Sequence, residues 1–126
     1  MKIAPISAAI WIAVAAAGSA SGPGSADDFL TRAERLKAKG PLAFFDSDYG
    51  RLKTEATAVG KAIGDDATAA RRAGKPTPYC SPAPRAELGS FEFIHGLEAI
   101  PAGERARMSL KDAMIRVLAV KYPCHH

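Results

Sequence analysis

The chain is poor in aromatic residues, at 7%, and holds only two cysteines. Its apolar content of 48% leans on alanine, which excludes a core built mainly of packed rings. Strand signals are missing: no alternating run rich in β-branched residues occurs, and neither Asn-Gly nor Asp-Gly marks a hairpin. Phosphate loops of the G-x-x-x-x-G-K-[ST] or G-x-G-x-x-G type are absent. So is the C-x-x-C-H attachment motif of c-type haem. An excess of one charge is absent too: 17 bases against 13 acids give +4, a statement about solubility rather than a nucleic-acid signature. At 126 residues the chain fits one domain. It is too short for a two-domain dinucleotide enzyme or a barrel of eight β/α units.

What is present begins with a leader-like segment over 1–26. Lys2 supplies a minimal positive region, and an uncharged, mostly apolar run over 3–17 follows. Pro5 and Ser7 interrupt it, so its continuous part is 8–17. A membrane-spanning helix needs about 20 apolar residues, which argues against a stable membrane anchor. Gly18-Ser19-Ala20 and Gly24-Ser25-Ala26 both offer the small-x-small pattern of a cleavage site. The expectation is a signal peptide cleaved after Ala20 or Ala26, a single domain over 27–126, and export. No cysteine follows the apolar run, so a lipoprotein acylation site is lacking. Richness in Ala, Gly, Arg and Pro suggests a bacterial source, and hence the periplasm. Removing the leader takes Lys2 and no acid, which lowers the net charge to +3.

Two cysteines in an exported chain predict one disulfide, Cys80 to Cys124. It would tie a proline-rich loop to the C-terminus across 44 residues of sequence. Chain entropy puts such a bridge at about 4 kcal/mol. The competing reading is a metal site, because Cys124-His125-His126 places three ligand types together. Adjacent ligands at a chain end are poorly placed for a closed tetrahedral site, and no second ligand cluster accompanies them.

The remaining strong signals are helical. A first helix is expected over 27–39, capped by Asp27 or Asp28, with Phe29, Ala33 and Leu36 as its apolar stripe. Gly40-Pro41 should stop it. Leu42, Phe44 and Phe45 form the aromatic-rich spot and are expected to plug the core between the first two helices. The second helix should run over 47–73, capped by Ser47 or Asp46. Tyr49, Leu52, Ala56, Val59, Ile63, Ala67 and Ala70 keep helical period along it. Continuity through Gly64 is preferred over a break there, because an internal glycine costs only about 1 kcal/mol. Gly60 and Gly64 suggest close approach of a neighbouring helix. Four prolines make 74–85 a loop. A third helix is expected over 90–100 with Ser90 as cap and Leu88, Phe91, Ile94 and Leu97 as its face, Phe93 beside them. A charged connection over 102–108 leads to a fourth helix to Lys121, opened by Ser109 and Asp112 in a capping box. The fold class is all-α: a long N-terminal helical pair, a C-terminal helical hairpin and one disulfide.

No catalytic constellation emerges. His95 is the best-placed imidazole, with Glu92 three residues before it and Glu98 three after. Glu92-x-x-His95 is half of a di-iron motif whose other half is missing. The pairs Asp27-Asp28, Asp46/Asp48 and Asp65-Asp66 are explained by helix starts or a break. The cluster Glu104-Arg105-Ala106-Arg107 reads as a solvated loop face, with a docking patch as the minority reading. No cofactor site is expected, and the chain reads as a binding or structural protein rather than an enzyme.

Residues 79–124 carry a further pattern. Tyr79-Cys80-Ser81-Pro82, an amphipathic helix, a proline-containing connection, a Ser-capped helix and Tyr122-Pro123-Cys124 resemble the C-terminal part of the Rap/Tai family. Those are small periplasmic immunity proteins that neutralise peptidoglycan amidases delivered by type VI secretion. The resemblance implies a helical fold, periplasmic location, frequent homodimerisation and inhibition by occupying a toxin's active-site cleft. Family members usually carry another cysteine pair in the first half, and 27–78 has none. No toxin-contacting motif matches position by position, so the resemblance identifies no partner-binding residue. The rival expectation is a small periplasmic stress or chaperone-like helical protein.

Overall fold

A computed structural model describes residues 24–82 and 85–124. The leader run over 1–23 and the terminal His125 and His126 lie outside the described residues. Helices α1 (Ala26–Lys37), α2 (Ser47–Arg72), α3 (Ser90–Ala99) and α5 (Leu110–Lys121) build the fold, and α4 (Ala102–Arg105) is a single turn. A 3-10 helix, Gly40–Phe45, joins α1 to α2. No strand occurs among the described residues; Ser25 and Ser109 form one isolated antiparallel bridge. The all-α expectation holds, with the disulfide Cys80–Cys124 in place and its Cα atoms 4.9 Å apart.

Helix α1 starts earlier than expected. Its cap is Ser25, whose Oγ accepts from the Asp28 N–H at 3.0 Å, and not Asp27 or Asp28. The two acids instead occupy the first turn, where a negative charge suits the helix dipole. The helix stops at Lys37, two residues short of the expected end, and Gly40 takes φ +60° to turn the chain. Helix α2 is continuous through Gly64 and is capped by Asp46, which accepts from the Asp48 N–H at 2.8 Å. Its buried stripe is Leu52, Ile63 and Ala67, whereas Tyr49 stays exposed. The small surface of Gly60 faces Met114 of α5, while nothing packs at Gly64.

Helix α3 keeps part of its expected face, since Leu88 and Ile94 pack against the core, but it is turned so that Phe93 takes the place expected of Phe91. Phe93 and Leu97 are buried and Ile100 follows them into the core, whereas Phe91 is 79% exposed. Ser90 is the first helical residue, not the cap. The cap position is Gly89, whose N–H donates to the Glu92 carboxylate at 3.0 Å. Helix α5 buries Leu110, Ala113, Met114, Val117 and Leu118, and Ser109 caps it by accepting from the Asp112 N–H. The core closes where Phe29 of α1 meets Phe93 of α3, with ring centres 5.6 Å apart. Tyr79 in the proline loop is buried as well, a core residue that the loop composition concealed.

Candidate partner-binding surface

The expected plug does not enter the core. Leu42 is 69% exposed, Phe44 68% and Phe45 89%. The geometry of a 3-10 helix explains this. With three residues per turn, positions three apart lie over one another. Gly40, Ala43 and Asp46 therefore share one side, and Ala43 packs partly against the core. The side facing α1 and α2 takes the small residue, and the large apolar ones are left outside. Phe44 meets Tyr49 of α2 edge to face at 5.2 Å, which extends the patch onto the next helix.

Polar contacts brace the turn. The Lys39 ammonium donates to the Asp46 carboxylate across its base, and the Asp46 N–H donates to Ala43 O at 3.0 Å. The Lys39 bond, with help from the Asp48 N–H, holds the Asp46 carboxyl below the usual carboxylate range. Arg35 and Lys37 end α1 beside the turn, both exposed. The turn is thus an exposed apolar tip that follows the cationic end of α1.

Two grooves flank other faces. One, of about 360 Å³, runs between α3 and α5 and includes Gly96, Val117 and the 81% exposed Val120. Its rim carries Lys121, hydrogen-bonded to Glu92 at 2.9 Å; that bond raises the lysine pKa and lowers the carboxyl pKa. The other is an open trough between α1 and α2, with Asp28, Arg32, Arg51 and Glu55 among its lining residues. Arg32 spans it with a two-pronged bond to Glu55, at 3.1 and 2.8 Å, so its charges are matched within the fold.

The residues singled out from sequence scatter. His95 is exposed, with Nδ1 3.9 Å from Glu98. No group of three His, Cys, Asp or Glu side chains that could hold a metal occurs among the described residues. The Cys124 sulfur is bonded to Cys80. The cluster at 104–107 is more than a solvated loop face. Arg105 donates to the carbonyls of Leu97 at 3.2 Å and Ile100 at 2.5 Å, and pairs with Asp27 at 3.1 Å. It thereby satisfies the orphan carbonyls ending α3 and ties them to the start of α1. Nothing near it in sequence announces this role.

The chain matches none of the protein-family models, curated proteins or solved structures with which it was compared. No helix among the described residues is long and apolar enough to cross a membrane.

Proposed function

We propose that this is a non-catalytic periplasmic protein that acts by stoichiometric binding to a protein partner, in the manner of the immunity proteins its C-terminal half resembles. The partner is a cell-wall amidase whose cleft admits the tip formed by Leu42, Phe44 and Phe45. The observation that carries this reading is the exposure of Phe44 and Phe45 on a braced turn. Large apolar side chains grouped on an exposed turn mark interaction sites, and aromatic anchors dominate binding energy. The cations Arg35 and Lys37 beside the tip favour a cleft with an acidic rim.

The test is titration calorimetry of the mature protein against an amidase encoded beside its gene. Binding near one-to-one is expected, with Phe44→Ala and Phe45→Ala each weakening it on the order of 30-fold, the size of an aromatic hot spot. Unaltered affinity in both variants would remove the tip from the interface, and absence of binding would remove the immunity reading. The stress or chaperone-like reading draws on the same exposed aromatics. It requires additional apolar surface to open in acid, which a fluorescent dye would report near pH 2–3.

A further inference from the structure

We infer that, between the candidate cleavage sites Gly18-Ser19-Ala20 and Gly24-Ser25-Ala26, signal peptidase uses the first, and that the working protein begins at Ser21. This rests on the periplasmic reading. It comes from what the fold does with the other candidate, Gly24-Ser25-Ala26.

Every small residue of that second motif is required by the folded domain. Gly24 sits at φ +83°, in the left-handed region that favours glycine. Ser25 is the N-cap of α1, with its Oγ on the Asp28 N–H and its carbonyl on the Phe29 N–H. Ala26 is 0% exposed, so only a small side chain fits. The segment is also bound to the far part of the chain. The Ala26 N–H donates to Met108 O at 2.9 Å, the Leu110 N–H donates to Gly24 O at 3.3 Å, and Ser25 bridges Ser109.

Cleavage after Ala26 would remove all of these contacts. It would also put a new α-ammonium on Asp27, with a pKa near 8, in the first turn of α1, where the helix dipole disfavours positive charge. The Leu110 N–H would lose its acceptor at the start of α5. Hydrolysis at the upstream site avoids this: water adds across the Ala20–Ser21 amide, leaving the carboxylate on Ala20 and the amine on Ser21. Residues 21–26 then stay with the domain, and the small residues at 24–26 are accounted for by the fold.

The test is export of the full chain from a bacterial host, followed by intact mass measurement and N-terminal sequencing of the periplasmic protein. A mature N-terminus at Ser21 is expected. In the full chain, Ala20→Leu should abolish that product, because the residue before the cut must be small. A wild-type mature chain beginning at Asp27, or an unchanged Ser21 product from the Ala20→Leu variant, would overturn the inference while leaving the export reading intact. A cytoplasmic chain still carrying residues 1–20 would overturn both.

Discussion

Replacing Gly96 by alanine sets two effects of opposite sign against each other. In the middle of a helix the change normally stabilises by roughly 0.5–1 kcal/mol, because glycine loses more backbone freedom on folding. At Gly96 a Cβ would lie 2.6 Å from both methyls of Val117, and 3.2 Å from its Cβ. Rotating Val117 does not clear the clash, since its Cβ is itself too close. A valine in a helix also has one strongly preferred rotamer. Carbon atoms pack at about 3.5–4.0 Å, so α3 and α5 must separate by about 1 Å locally. Overpacking of this kind costs roughly 1–3 kcal/mol. The net expectation is a loss of about 1–2 kcal/mol, seen as a fall in Tm of roughly 4–15 °C for a domain of this size. Gly64→Ala is the matched control, because nothing lies within 4 Å of its added methyl. It should raise Tm by roughly 2–8 °C. Scanning calorimetry of both variants checks the pair. A Gly96→Ala protein at least as stable as wild type would refute the close helix contact.

Two further predictions concern the bridge and the charges. The Cys80→Ser, Cys124→Ser double variant should lose about 4 kcal/mol in denaturant unfolding and expose the segment around Cys80 to proteolysis, and an unchanged midpoint would contradict the bridge's role. On the acid side, the folded pKa values of Asp46 and Glu92 are depressed by Lys39 and Lys121. Their contribution is therefore full above the ordinary carboxylate pKa of about 4 and is lost as pH falls through the lowered values. Lys121, raised by Glu92, acts oppositely: its contribution is full below about pH 10.4 and is lost as pH rises through the raised value. Thermal unfolding of Asp46→Asn and Glu92→Gln should show a shallower acid slope than wild type, and unchanged slopes would count against these pairs.

Helices α2 and α5 were legible because large apolar residues mark their period: Leu52 and Ile63 on one, Leu110, Met114, Val117 and Leu118 on the other. Helix α3 was legible as an element but not in rotation. The row Leu88, Phe91, Ile94 and Leu97 advances in threes, and each step falls about 60° short of a full turn, so the row walks round the helix. Phe93, Leu97 and Ile100 advance by four and three and hold one direction, which is why Phe93 is buried and Phe91 is not. Ser25 was hidden because its segment also fits a cleavage site. Arg105 was hidden because its partners are carbonyls at 97 and 100 and a carboxylate 78 residues away. The candidate surface was visible as composition, since the aromatic-rich spot is plain in the sequence. Its direction was not, because that depends on the period-three geometry of a turn whose inward side needs only Ala43.

That geometry separates what the tip does for folding from what it offers a partner. Burying a large apolar side chain completely is worth roughly 1.5–3 kcal/mol. Phe44 at 68% and Phe45 at 89% exposure leave most of this unrealised in the isolated chain. A cleft that covered both would gain about 2–5 kcal/mol from them, enough to change affinity by some 30- to several thousand-fold. Nanomolar binding corresponds to about 12 kcal/mol, so two rings alone do not supply it. The rest must come from Leu42, Tyr49 and the cations Arg35 and Lys37 at the end of α1. Rim charges act mainly on the rate of encounter and are screened by salt. Association should therefore slow as ionic strength rises, while dissociation is governed by the rings. A complex whose association rate ignored salt would place the contact away from this end of α1.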